Sequence, residues 1–136
     1  MSQQPTRKFV EDGFGYLNKR NLDAFFALYS EDLRNPSLAS MGLPTNKEGF
    51  KSFVGVFFGS FAEPQFLAQE IVCAGDTAMF RWIFKGVHTG ELNGVKATGR
   101  RVAVDAFTSF RMAADGKIVE QHDLSDLFGL MKQIGA

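Results

Sequence analysis

The chain has 136 residues, with 15 Lys plus Arg against 15 Asp plus Glu and a formal net charge of zero. That length fits one domain, 1–136, with one core, and the even balance argues against a nucleic-acid binder, which needs a basic excess or stripe. One cysteine, Cys73, rules out an internal disulfide, His88 and His122 have no Cys partners at zinc spacing, and no apolar run approaches a membrane span.

From the start of the chain, Met1 to Lys8 is polar and unlike a secretory signal, so a cytoplasmic protein without a membrane partner is expected. Phe9, Val10, Gly13, Phe14 and Leu17 recur at helical spacing and predict a first helix. Asn21 is placed to cap a second, with Leu22, Phe25, Phe26 and Tyr29 on its apolar face. Arg34-Asn35-Pro36 turns the chain extended, because the residue before proline avoids the α region. Thr45 and Glu48 stand at capping-box spacing before a third helix, whose apolar face is Phe50, Phe53, Val54, Phe57, Phe58 and Phe61.

Strands follow. Pro64 is read as the end of the helical region, and Gln65 to Cys73, Thr77 to Lys85, Val102 to Met112 and Lys117 to Asp123 as four strands. Ala114-Asp115-Gly116 marks a hairpin, and Leu127, Leu130, Met131 and Ile134 a C-terminal helix. Helices first and hairpins after them predict an α+β fold. Along the second strand Phe80, Trp82 and Phe84 point one way, and Arg81, Ile83 and Lys85 the other. Apolar residues on both faces call for a second cover. A homodimer through the outer sheet face supplies one, and the aromatic face is expected under a second subunit or the chain's own termini. The 15 phenylalanines suit a large core, an apolar pocket or an interface.

Several segments together resemble SnoaL-like polyketide cyclases of the nuclear-transport-factor-two-like (NTF2-like) superfamily. They are Arg81-Trp82, Gly86-Val87-His88-Thr89-Gly90-Glu91, Thr98-Gly99-Arg100, Phe110-Arg111-Met112 and Asp115 to Glu120, then Asp123, Asp126, Gly129-Leu130 and Gln133-Ile134-Gly135. The resemblance runs nearly end to end. It implies a cone-shaped, curved mixed sheet wrapped around three N-terminal helices, with a deep apolar pocket for a small hydrophobic molecule. Such a fold hosts cyclases, isomerases, epoxide hydrolases and non-enzymes alike, so the pocket residues must decide.

By that resemblance Asp123 is the pocket acid/base. Desolvation pushes a carboxyl group in an apolar pocket toward its neutral form, which suits proton shuttling. The competing role is a strand-terminal cap, which fits Asp126 better. Arg81 matches an arginine that epoxide hydrolases set between two aspartates, but Ile83 stands where the second aspartate belongs, which breaks that relay. Asp105 is a candidate to compensate, since the resemblance points its face, shared with Phe107, into the pocket, with Ile83 and Phe107 around Asp123 as substrate-binding residues; a structural Arg81–Asp105 ion pair is the other reading. Asn35 matches the base of ketosteroid isomerases but is an amide, and their tyrosine falls on Gly13, so steroid isomerisation is disfavoured. Asn35 either orients a substrate oxygen or closes a turn. His88 binds substrate or braces its loop, and the Tyr16 hydroxyl reaches cavity or solvent. Phosphate loops and Gly-x-Ser-x-Gly elbows are absent from the sequence, and neither cofactor nor metal is expected. The function expected is cofactor-independent acid/base catalysis on a hydrophobic carbonyl compound by Asp123, with Asn35, Arg81 or His88 as oxyanion donors. A non-catalytic module binding an apolar ligand is the alternative.

Overall fold

The computed structural model describes residues 3–135. Helix α1 (Gln3–Asn18) and the short α2 (Leu22–Phe26) lead into strand β1 (Tyr29–Arg34). A 3-10 turn at Pro36–Met41 and helix α3 (Lys47–Ser60) follow. Then come β2 (Phe61–Ala74), β3 (Thr77–His88), β4 (Arg101–Met112), β5 (Ile118–Ser125) and helix α4 (Leu127–Gln133). The strands form one curled five-stranded sheet in the order β1-β5-β4-β3-β2, antiparallel except where β1 runs parallel to β5. The architecture is the α+β one expected, with one strand more.

That strand is β1. Leu22, Phe25, Phe26 and Tyr29 fit a helix by spacing, yet the helix stops at Phe26 and Tyr29 opens the strand. Pairing with the free edge of β5 outweighs local periodicity here, since an unpaired edge leaves backbone groups without partners. Tyr29 and Leu33 turn inward, and the chain leaves β1 through Asn35, extended before Pro36 as expected.

Helix α3 starts one residue later than the Thr45 cap predicts: Asn46 is the N-cap, and its side chain accepts the Gly49 N–H at 3.0 Å. Gly49 is required there, because a Cβ would overlap the Pro44 carbonyl. The helix ends at Ser60, before Pro64, and Phe61 belongs to β2 rather than to the helical face. Pro64 lies inside β2, at a bulge on the sheet edge where Ala62 pairs with Val87 but Gln65 with Lys85. An edge bulge is where a strand tolerates proline.

The core lies between the concave sheet face and helices α1 and α3. Phe14 of α1 meets Phe80 and Trp82 at ring-centroid distances of 5.7 and 5.8 Å, and Phe57 of α3 meets Phe84 at 4.8 Å. The aromatic face of β3 is therefore the inner one, covered by the chain's own α1 and α3, and needs no second subunit. The outer face carries Met79, Phe107 and Leu124, which are 58%, 58% and 76% exposed.

Candidate active site

A cleft opens between α1, α3 and the inner sheet face, holding about 570 Å³ of empty space with its mouth included. Phe9 and Phe14 of α1, Phe50, Phe53 and Phe57 of α3, and Phe80 and Trp82 of β3 line most of it. Its polar wall is Tyr29, Thr108, Gln121 and Asp123. Gly13, where the isomerase match would set a tyrosine, contributes bare backbone to the wall.

Strand register assembles the polar wall. Thr108 of β4 stands directly opposite Asp123 of β5, and Phe110 opposite Gln121. In β5, Ile118 pairs with Met112 and Glu120 with Arg111, so one residue, Val119, is extra. That bulge shifts the alternation, and Ile118, Gln121 and Asp123 all point inward. Strand β1, paired to β5, delivers Tyr29 from its start and Asn35 from just beyond its end.

The half-buried Asp123 carboxylate accepts hydrogen bonds from three side chains. Thr108 Oγ1 donates to Oδ1 at 2.7 Å and Asn35 Nδ2 to Oδ2 at 2.9 Å. Gln121 Nε2 lies 3.1 Å from Oδ2 and 3.3 Å from Oδ1. Two of these donors have a fixed direction. The Trp82 indole N–H, which can only donate, gives its hydrogen to Thr108 Oγ1 at 2.9 Å, so the threonine hydrogen must go to Asp123. The Asp123 backbone N–H donates to Ser37 Oγ at 3.0 Å, and Ser37 donates to Asn35 Oδ1. The Asn35 amide can then present only its NH₂ to the carboxylate. Gln121 is oriented by Tyr29, whose hydroxyl donates to Oε1 at 2.8 Å. Burial, and then the neighbouring Asp123 charge, raise the Tyr29 pKa well above its ordinary value, despite a small opposing effect of Gln121. The phenol therefore stays protonated and acts as a donor.

The structure brings Asp123 and Asn35 together, but Asn35 is fully buried behind the carboxylate and off the cavity wall, so its donor serves Asp123 rather than a substrate oxygen. Arg81, Asp105, Phe107 and Ile83 lie on the opposite, outer face. Arg81 is paired there with Glu70 Oε1 at 2.9 Å and Asp105 Oδ1 at 3.1 Å. The carboxylates of these partners, Glu70's hydrogen bond first, raise the arginine pKa further. Arg81 therefore sets no cation beside Asp123, and the relay of an epoxide hydrolase has no counterpart among the described residues of the cleft. The assignment of Arg81, Asp105, Phe107 and Ile83 to the pocket is one residue out of phase, which in a strand exchanges the two faces. His88 is fully buried, with Nδ1 on the Thr98 backbone N–H and hydroxyl, and so braces its loop. Tyr16 is half-buried against the core and off the cavity wall. Asp126 caps α4, accepting the Gly129 N–H at 2.9 Å. His122 faces outward beside Glu120.

Sequence reasoning missed Tyr29, Trp82, Thr108 and Gln121 as members of the site. Thr108 had a legible signal: it is the one polar residue in phase with Val102, Val104, Ala106 and Phe110. Among the described residues, no cluster of His, Cys, Asp and Glu is placed to hold a metal ion, and no helix is long and apolar enough to cross a membrane.

The chain resembles several solved structures over nearly its whole length. TsrD from Streptomyces laurentii shares 26% identity at a TM-score of 0.82, covering 98% of this chain and 96% of that one. IdmH from Streptomyces antibioticus, a proposed polyketide cyclase, shares 26% at 0.81, covering 98% and 99%. AclR from Streptomyces galilaeus, a proposed hydroxylase, has the same fold at 0.85 and 22% identity, covering 95% and 94%. A search of the curated proteins found no match. The profile of the SnoaL-like polyketide cyclases matches residues 6–134, essentially the whole fold with its cleft and polar wall, and on that ground the chain belongs to this family, within the NTF2-like superfamily.

Proposed function

We propose that this chain is a cofactor-independent cyclase or isomerase that moves a proton on a flat, hydrophobic carbonyl compound, with Asp123 as the acid/base. The observation that carries this reading is the carboxylate itself. Among the described residues Asp123 is the one carboxylate on the wall of a mostly aromatic cleft, held by neutral donors with no cation beside it. Asp123 takes a proton from the carbon next to a carbonyl, and the C–H electron pair moves into an enolate. In a ring closure the enolate carbon attacks a second carbonyl of the same molecule, and the new alkoxide takes the proton back from Asp123. The donors on Asp123 hold its carboxylate in one orientation toward the cleft before the substrate arrives, so the acid/base is already positioned when the proton moves. Aromatic walls suit a flat polyketide-like substrate by stacking and by excluding water.

The test needs no natural substrate. Thermal-shift screening with polycyclic ketones identifies binders, and exchange of the α-protons of 2-tetralone for deuterium, followed by NMR, measures enolisation directly. Wild-type protein should accelerate exchange over buffer, and Asp123→Asn should not. Binding without accelerated exchange returns the protein to the non-catalytic reading.

We also propose that the outer sheet face pairs with a second copy, because Met79, Phe107 and Leu124 form an apolar surface there that is left exposed among the described residues. Sedimentation of wild type and of Leu124→Lys decides between dimer and monomer.

A further inference from the structure

Gln121 differs from the other partners of Asp123 in what its amide is free to do. Thr108 has one hydroxyl hydrogen, fixed on Asp123 by the Trp82 indole. Asn35 is fixed through Ser37 and lies off the cavity wall. Gln121 stands on the wall. Its oxygen is taken by Tyr29, so its NH₂ always faces the reacting side. That nitrogen is shared between both carboxylate oxygens, at 3.1 and 3.3 Å, and these are the longest contacts in the cluster. A longer, shared contact is a weaker one, and the NH₂ carries two hydrogens.

We infer that Gln121 is the oxyanion donor of the proposed reaction and that Tyr29 is its positioning residue; the inference rests on Asp123 being the proton acceptor. As the substrate proton reaches an Asp123 oxygen, a lone pair there becomes an O–H bond and the carboxyl loses its charge. The C–H electron pair becomes the enolate, and its charge gathers on the substrate oxygen. Thr108 and Asn35 cannot follow that charge, because Trp82 and Ser37 fix their hydrogens on Asp123. The Gln121 N–H groups lose much of what held them, and the enolate oxygen is the new acceptor on their side. Proton acceptor and oxyanion donor are already hydrogen-bonded neighbours. They therefore suit a substrate whose acidic carbon is directly attached to the carbonyl that takes the charge. Proton return restores the carboxylate and draws Gln121 back.

The test is made on the full chain with 4-nitrophenol, a flat aromatic probe whose phenolate is yellow and whose phenol is not. Asp123→Asn supplies an uncharged NH₂ in place of the protonated carboxyl, and the bound phenolate oxygen stands for the enolate oxygen. Titrated by absorbance, Asp123→Asn should bind phenolate in preference to phenol. Adding Gln121→Met should cut that preference by about ten- to a hundredfold, the worth of one hydrogen bond to a charged group. Adding Tyr29→Phe instead should cut it less, because the amide remains but is free to turn over. Thermal unfolding of each variant reports whether it is folded. Tyr29→Phe, which removes a single oxygen, carries the test if Gln121→Met does not fold. A preference that is absent in Asp123→Asn, or that survives Gln121→Met in a folded chain, overturns the assignment of Gln121. A preference unmoved by Tyr29→Phe overturns the role of Tyr29. The reading of Asp123 is decided separately, by the exchange assay on the single variant.

Discussion

Asp105 and Asp123 are carboxylates of adjacent strands in one sheet, and the two faces treat them in opposite ways. Asp105 points outward, with Arg81 at 3.1 Å and solvent around both. Asp123 points inward and meets only neutral donors: a hydroxyl and two amides. On the outer face a cation neutralises the charge cheaply, and the pair does little else. On the inner face a cation would have to be desolvated too and would hold the carboxylate ionised, which suits structure better than proton transfer. Dipoles fixed by Trp82 and Ser37 hold Asp123 in place without supplying a counter-charge. The inner aspartate is thus ordered by neutral groups alone.

The sharpest way to break this comparison is to change both aspartates to asparagine. Asp123→Asn should slow α-proton exchange by about a hundred- to ten-thousandfold, the usual worth of a positioned acid/base. It should also lower stability, because the new NH₂ faces Asn35, Thr108 or Gln121, each already a donor, at a cost of about 1–3 kcal/mol. Asp105→Asn should leave the exchange rate unchanged. Equal losses from the two variants, by the NMR exchange assay, would mean that the faces are assigned wrongly.

Thr108→Val tests whether the inner donors are held as a unit. The isosteric change removes one hydrogen bond to Asp123 and leaves the Trp82 N–H buried without an acceptor. It should cost about 1–3 kcal/mol in denaturant unfolding, as a stranded polar group does. A neutral result would mean that the indole finds another acceptor and that Thr108 is not locked.

How much of this was legible in the sequence follows from the same contrast. Asp123 could be found because a short motif match ties it to a strand end. Its surroundings could not, for two reasons. Face assignment along β3 and β4 depends on which phase packs against the helices, and apolar residues on both faces hid it: Phe80 and Trp82 are inward, yet Met79, Ile83 and Phe107 are outward. A clue remained in β4, where Val102, Val104, Ala106 and Phe110 make an apolar phase interrupted by Thr108 alone. The second reason is β1. Tyr29 continues a helical spacing, and only the demand of the β5 edge, a contact across 89 positions between Tyr29 and Ile118, makes it a strand residue. Local pattern cannot report such a partner. Asn35, fixed by Pro36, was legible as extended, but its role as a holder of Asp123 rather than of substrate follows from that same pairing.

Tyr29→Phe sharpens the comparison by pH. The phenol is held protonated in the folded state, by burial first and then by the Asp123 charge. In the unfolded chain it ionises near pH 10. The raised folded value means that its contribution is fully present below pH 10 and is lost as pH rises above it, because only the unfolded state then loses the proton. Wild type should lose about 1 kcal/mol more than Tyr29→Phe between pH 10 and pH 11, read from denaturant midpoints. Parallel pH curves for the two proteins would mean that the phenol is not shielded.

The smallest effect should come from Arg81→Gln, and its smallness is the point. Arg81 holds Glu70 and Asp105 on the outer face, all three side chains reached by solvent. Removing it leaves two carboxylates that water can solvate, so the melting temperature should shift little and less still at high salt, where exposed charges are screened. Exchange at the cleft should proceed at the wild-type rate, because the guanidinium and the Asp123 carboxyl point to opposite sides of the sheet. An arginine that served as an oxyanion donor or as the centre of a carboxylate relay would behave differently: its loss would slow exchange by orders of magnitude while the fold held. That result, in a folded Arg81→Gln protein, would place the outer pair in the chemistry and undo the distinction between the two aspartates.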